Sequence, residues 1–220
     1  MLPEWLEPAP LDFFLRNHVA KRRPYAKPQS AQRAAGIFKW NLLDRLLPMP
    51  TTDALVISRG RLADRPVPRN LDDTRILLRD GIGLVIRHAE QLDVPLAALA
   101  HSLTKTMPGT AHVQLFVTPA ETHGFSWHYD AEEVFIVQTA GVKDYFLREN
   151  TLAASELAMP DFGRFRDEVS PVGSVRLIEG DWLYIPGRWW HMAKCVEDSL
   201  SISIGVSPDE CWLTEVKRKR

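Results

Sequence analysis

Gly124-Phe125-Ser126-Trp127-His128-Tyr129-Asp130 sets a histidine and an aspartate one residue apart, and Arg188-Trp189-Trp190-His191 adds a second histidine sixty-three residues after the first. On an extended strand the side chains at i and i+2 share a face, so His128 and Asp130 reach one point while Tyr129 turns away. His191 joins them only if its own strand or strand end lies alongside, which a gap of that length permits in an antiparallel barrel. Two imidazoles and one carboxylate are the donor set of the facial triad that holds non-haem Fe(II) with open coordination positions. An isolated His-x-Asp tripeptide carries little weight. The sequence on either side supplies it.

After Asp130, residues 131–147 read as a strand rich in β-branched and aromatic residues, a short turn at Gly141 and a second strand. Ahead of His191, Glu179-Gly180-Asp181 makes a turn, Trp182-Leu183-Tyr184-Ile185 a short apolar strand, and Pro186-Gly187 another turn. In residues 198–206 the serines take one face and Leu200, Ile202 and Ile204 the other. A buried strand with a small, hydroxyl-bearing face predicts a barrel whose interior is a polar cavity. The expected fold is mainly β, α+β overall, a barrel with N-terminal helices packed on it.

In its motifs the chain resembles the JmjC/cupin-like Fe(II)- and 2-oxoglutarate-dependent oxygenases, closest to the ribosomal-protein hydroxylase branch. The matching pieces, in family order over about residues 112–206, are Leu115-Phe116-Val117-Thr118-Pro119, Gly124 to Asp130, Val134-Phe135 with Gln138, Gly141 with Lys143, Gly180 to Pro186, and Trp190-His191. The resemblance implies the double-stranded β-helix, or jelly-roll/cupin-like, form of the barrel, and His128, Asp130 and His191 as metal ligands. Lys143, fifteen residues after His128, matches the basic residue that binds the distal carboxylate of 2-oxoglutarate; a charge-assisted contact of that kind is worth about 1.5–3 kcal/mol. Gln114 stands where many relatives carry a cosubstrate-contacting asparagine. Thr118, on the same face, is a second candidate, and Ser201 and Ser203 lie where the last core strand presents small polar groups to the cofactor. Gly205 replaces a larger polar residue of some relatives, and Phe125 replaces a threonine, so that contact is expected to be absent. The implied activity is an Fe(II)/2-oxoglutarate-dependent dioxygenase that uses molecular oxygen to hydroxylate an unactivated C–H bond, on a protein side chain by preference. A free amino acid or small molecule is the alternative substrate. A metal-dependent cupin enzyme or binding module without 2-oxoglutarate is the alternative function. Trp127, Trp189 and Trp190 are expected to pack against the barrel. His18, His88, His101, His112 and His123 lack ligand-like spacing and are read as structural or exposed.

With 220 residues, 45% of them hydrophobic, the chain suits one domain of residues 1–220: a helical prelude with outer strands (1–110), the core barrel (111–206) and a C-terminal tail (207–220). A net charge of −1 gives no polyanion-attracting field, so no direct nucleic-acid partner is expected. Basic residues do gather at Lys21-Arg22-Arg23, at Arg59, Arg61, Arg65 and Arg69, and at the final four positions. The only cysteines, Cys195 and Cys211, form no CxxC pattern, which fits reduced thiols and a cytoplasmic location. No apolar run reaches membrane-spanning length. Residues 1–50 are expected to be mainly helical, with apolar stripes over 11–19 and 37–47. Strands are expected over 53–58 and 83–87, helices from Asn70 and over 95–106, and a helical turn or loop over 153–157. Relatives usually continue past the barrel into a helical dimerisation region and a winged-helix-like module. This sequence runs fourteen residues beyond Val206, so the resemblance carries no substrate docking, and a homodimer is left open.

Overall fold

Strand alternation sorts the side chains onto the two faces of one large sheet, and that sorting builds the cavity. The computed structural model describes residues 1–151 and 164–218; the expectation for 153–157 falls outside them. The strands are β1 (Tyr25–Lys27), β2 (Asp53–Ser58), β3 (Arg61–Leu62), β4 (Gly83–Arg87), β5 (Gly109–Thr118), β6 (Glu133–Ala140), β7 (Lys143–Arg148), β8 (Val172–Leu177), β9 (Trp182–Ile185), β10 (Trp190–Cys195) and β11 (Ser199–Pro208). They form an eight-stranded sheet in the order β1-β9-β6-β11-β5-β4-β2-β3 and a three-stranded sheet β10-β7-β8. Each pairing is antiparallel, giving the expected mainly-β barrel.

On β5 and β11 the register Ser201↔Phe116, Ser203↔Gln114 and Gly205↔His112 sends these residues toward the smaller sheet. Their neighbours Val113, Leu115, Val117, Leu200, Ile202 and Ile204, all 1% exposed or less, face the other way. That second face joins Phe135, Trp182 and Tyr184 in a core closed by helices α1 (Leu2–Leu6) and α2 (Leu11–Phe14), and by α6 (Val94–Thr104). Phe14 makes edge contacts with Trp182 and Tyr184, its ring centroid 6.0 and 5.1 Å from theirs. The serine stripe of β11 therefore marks the barrel interior, and the aliphatic stripe marks the sheet–helix layer.

The first fifty residues are less helical than expected. They break into short segments: α1, α2 continued as a π-helical turn over Leu15–Val19, α3 (Gln32–Ala35) and α4 (Leu42–Leu46). Within the 37–47 stripe only α4 is helical. Before it, Phe38 is fully buried and the Lys39 ammonium donates to Thr139 O at 2.6 Å, so the chain follows the sheet surface instead of coiling on itself. Tyr25–Lys27 is a strand because it pairs with Tyr184, Leu183 and Trp182 of β9. The other helices start where expected. Asn70 caps α5 (Leu71–Arg79) by accepting from Asp73 N at 2.8 Å, and Asp93 caps α6 by accepting from Leu96 N at 3.2 Å. The tail forms α7 (Glu210–Arg218), with Val216 buried.

Glu168 ties the chain together on either side of residues 152–163. It is 4% exposed and accepts from Thr151 Oγ1 at 2.6 Å, Thr151 N at 2.9 Å, Val169 N at 3.0 Å and Ser170 N at 3.3 Å. Burial pushes its carboxyl up, but these four donors outweigh it and hold the pKa down to about 2. A depressed carboxylate contributes stability that is present above pH 4.5 and lost as pH falls toward 2. Glu168→Gln is expected to cost about 1–2 kcal/mol at pH 7 and to flatten the fall in stability between pH 4.5 and 2, as denaturant melts across that range will report.

Candidate active site

His128 and His191 are brought together by the backbone. His128 N donates to His191 O at 3.1 Å and His191 N to His128 O at 2.7 Å, an isolated antiparallel bridge that places the two rings 4.2 Å apart, centroid to centroid. The His-x-Asp segment was expected on a strand. It is instead one reciprocal pair of hydrogen bonds flanked by loop, because the chain bends at Trp127 and again at Ala131 and Glu132. The i, i+2 logic survives. Asp130 reaches His191, with Oδ2 3.5 Å from Nε2, while Tyr129 turns away onto Trp190. The turn before β10 fixes this arrangement: Arg188 N donates to Asp130 O at 2.5 Å. A Cβ on Gly187 would lie 2.6 Å from Ala131 O, so glycine is required at that crossing.

The ligand atoms of His128, Asp130 and His191 all lie within 4.8 Å of one another. His128 Nδ1 sits 2.8 Å from Ser126 O and His191 Nδ1 3.0 Å from Trp189 O. Carbonyls can only accept, so Nδ1 carries the proton in each neutral ring and the Nε2 lone pair is left to coordinate. Burial, and then the neighbouring His191, push His128 down to about 4, keeping it neutral as a ligand must be. Burial pushes the Asp130 carboxyl up, but His191, His128 and His112 outweigh it and hold it below its usual range. Nitrogen and carboxylate donors with set tautomers fit a divalent transition metal.

These residues open into a cavity of about 280 Å³ between the two sheets. One parity per strand lines it: His112, Gln114, Phe116 and Thr118 from β5, Ser203 and Gly205 from β11, Lys143 and Tyr145 from β7. Lys143 is 3% exposed. Its ammonium donates to Thr118 Oγ1 at 3.3 Å and Ser201 Oγ at 3.2 Å, and Phe116 lies beneath it with its ring centre 6.0 Å away. Among the described residues no carboxylate pairs with it, and burial pushes its pKa down. Beside it, burial pushes the Tyr145 phenol up, and its hydroxyl pairs with Ser201. A buried cation held only by neutral hydroxyls is a site built for an anion, and the carboxylate of a dicarboxylate cosubstrate fits it.

Of the residues read from sequence, Gln114, Thr118, Lys143 and Ser203 line the cavity together with His128, Asp130 and His191, and Ser201 stands behind Lys143. Phe125 lines it as well, its ring 5.7 Å from that of His128. Trp127 and Trp190 pack outside the cavity: Trp127 stacks on Phe165 at 4.6 Å, and Phe165 meets Trp190 at 5.5 Å. His112, read as structural or exposed, is a correction. It lines the cavity and pairs through Nδ1 with Glu132 Oε1 at 3.2 Å, and that hydrogen bond, over the opposing effect of burial, pushes its pKa up. Strand parity was the available signal, since His112 precedes Gln114 by two. Tyr145 and Glu132 were also missed.

A family model for the JmjC domain matches residues 89–211. Ribosomal oxygenase 1 of Bos taurus is 26% identical over 215 residues, covering 93% of this chain and 32% of that protein. The Danio rerio protein of the same name is 27% identical over 217 residues, covering 93% and 40%. The bifunctional lysine-specific demethylase and histidyl-hydroxylase NO66 of Drosophila melanogaster is 35% identical over 95 residues, 42% of this chain and 14% of its own. The chain thus spans between about a third and two fifths of the length of these first two relatives. Among solved structures, E. coli ycfD superposes with a TM-score of 0.62 at 20% identity, covering 92% of this chain and 54% of that one. YcfD, a ribosomal oxygenase, in complex with cobalt and 2-oxoglutarate, gives 0.58 at 18% identity, covering 92% and 53%.

Proposed function

This chain belongs to the JmjC domain family, and from that membership we propose that it is an Fe(II)- and 2-oxoglutarate-dependent oxygenase that hydroxylates an unactivated C–H bond on a protein side chain. The carrying observation is one cavity with two matched halves: the His128, Asp130 and His191 donors, and the buried ammonium of Lys143, which has no anion partner among the described residues. When bound, iron with 2-oxoglutarate and dioxygen supplies the oxidising power, and the cosubstrate leaves as succinate and carbon dioxide. The chain's own residues do the rest. His128 and His191 hold their Nε2 lone pairs toward the metal because Ser126 O and Trp189 O retain the Nδ1 protons. Asp130 supplies the single negative charge. Lys143, with Thr118 and Ser201 orienting its ammonium, takes the far carboxylate of the cosubstrate and fixes its direction. Phe125, Phe116, Val134 and Ile136 are apolar cavity wall and limit water around the reacting centre. A protein substrate is favoured by the likeness to relatives named ribosomal oxygenases. A cytoplasmic location is part of the same reading, on the ground that Cys195 and Cys211 are free thiols.

The test is thermal melting of metal-free protein with Mn(II), with 2-oxoglutarate, and with both. A ligand that binds only the folded state raises stability by RT ln(1 + [L]/Kd). The expected result is a rise with Mn(II), none with 2-oxoglutarate alone, and a larger rise with both than with Mn(II). A metal response to which 2-oxoglutarate adds nothing would replace this reading with a metal-dependent barrel of other chemistry.

A further inference from the structure

The cavity also holds a polar assembly centred on Glu132, a carboxylate given no part in the metal or cosubstrate roles above. Gln114 Nε2 lies 3.4 Å from His112 Nε2, His112 Nδ1 lies 3.2 Å from Glu132 Oε1, and Ser207 Oγ donates to that same oxygen at 3.2 Å. The directions follow from the chemistry. An amide NH₂ only donates, so His112 Nε2 accepts from it, and the Nδ1 proton goes to the carboxylate. Each donor converges on Oε1, and Oε2 is left as an acceptor without a protein partner among the described residues. Its position is unusual: a Cβ built on Gly205 would lie 2.4 Å from Glu132 Oε2 and 2.7 Å from His112 Cε1. The pair thus occupies the volume that a side chain at position 205 would fill, and Gly205, Glu132 and His112 all line the cavity. The cavity wall between this end and Lys143 is largely apolar, with Phe116, Val134 and Ile136 along it.

We propose that Glu132, held by His112 and seated against Gly205, is the substrate-anchoring residue of this cavity, its free Oε2 accepting a hydrogen bond from an N–H group on the side chain being hydroxylated. The assignment rests on the oxygenase reading and deepens it. A carboxylate fixed through one oxygen selects donors, neutral or cationic, and disfavours carboxylate and hydrocarbon side chains, since either would leave Oε2 desolvated and unpaired. His112 and Gln114 are positioning residues: they fix the rotation of the carboxylate and do not reach the substrate themselves.

The probes are pentapeptides Gly-Gly-X-Gly-Gly with X arginine, asparagine, glutamate or leucine, titrated calorimetrically into full-length protein loaded with Mn(II) and 2-oxoglutarate. The arginine and asparagine peptides are expected to bind at least about tenfold more tightly than the other two, the size of one hydrogen bond to a charged group. Glu132→Gln and Gly205→Ala, the second displacing the carboxylate without removing it, are each expected to bring the four peptides within about threefold of one another. Equal affinities in the wild type, no binding of any peptide, or a donor preference that survives both substitutions would overturn the assignment. The stabilisation of the wild type by 2-oxoglutarate with Mn(II) is read on the same samples. If that response is missing, the oxygenase reading itself has failed; if it is present and the peptides do not discriminate, only the role of Glu132 has.

Discussion

Asp130→Ala is expected to abolish the metal-dependent rise in melting temperature, and any metal-dependent turnover, while leaving the metal-free protein folded. The two halves of that result have separate causes. Among the described residues, the side chain's ion-pair partner without metal is His191 Nε2, at 3.5 Å, and the side chain is 43% exposed; the structural hydrogen bond at this position is made by its backbone oxygen, from Arg188 N. Losing the side chain should therefore shift the stability of the metal-free protein by only about 0.5 kcal/mol. With metal at a hundred times its dissociation constant, the wild type gains about 2.7 kcal/mol, or roughly 5–10 °C for a chain of this size. The variant keeps two neutral imidazoles but loses the only anionic donor. Calorimetric melts with and without Mn(II) check both halves. A full metal response in the variant would put the ion somewhere other than beside His128 and His191.

Much of this site was legible in the sequence because strand parity is. The alternation of β11, with Ser201, Ser203 and Gly205 against Leu200, Ile202 and Ile204, gave both faces of the sheet correctly, and the same rule put Gln114 and Thr118 on the cavity side of β5. The helix start at Asn70 was readable because its cap is local chemistry; the helix expected over 95–106 runs Val94–Thr104, with a cap at Asp93 that the expectation did not name. What escaped was set by contacts distant in sequence. Tyr25–Lys27 is too short to show a period and is a strand only through β9. The 37–47 stripe has helical spacing but lies on the sheet, where Phe38 and Lys39 find their partners individually. His112 was set aside for lacking ligand spacing, although parity alone placed it in line with Gln114. Glu132 and Glu133 show why adjacent identical residues defeat composition arguments. One lines the cavity, while the other accepts from Tyr184 Oη at 2.6 Å on the opposite face.

Lys143→Met is expected to move stability and ligand binding in opposite directions. In the ligand-free protein the ammonium is 3% exposed and its hydrogen-bond partners among the described residues are the Thr118 and Ser201 hydroxyls, so folding desolvates a charge with no anion from these residues to pair it. Methionine fills similar volume with no charge to desolvate, and two hydroxyls losing a donor offset part of the gain. A net stabilisation of about 1 kcal/mol is expected, or roughly 2–4 °C in melting temperature. The pH dependence has a definite sign. Burial lowers the folded pKa of Lys143 below its ordinary 10.5, so the unfolded chain holds this proton more tightly. Stability tied to the group is fully present above 10.5 and is lost as pH falls through the folded value. The advantage of the variant should therefore be largest at low pH and shrink as pH rises toward 10.5. The response to 2-oxoglutarate runs the other way. A charge-assisted hydrogen bond worth about 1.5–3 kcal/mol disappears, weakening cosubstrate binding by roughly 10- to 150-fold, while the Mn(II) response persists because the ligands to the metal are untouched. Melting the variant across pH, with Mn(II) and with 2-oxoglutarate, separates these effects. A variant less stable than the wild type at neutral pH, yet still stabilised by 2-oxoglutarate, would mean that Lys143 is a structural cation and that the cosubstrate carboxylate is held elsewhere. A cation kept for ligand binding is instead expected to relax the fold when it is removed, and the burial of Lys143 with no anion partner among the described residues is the ground for that expectation here.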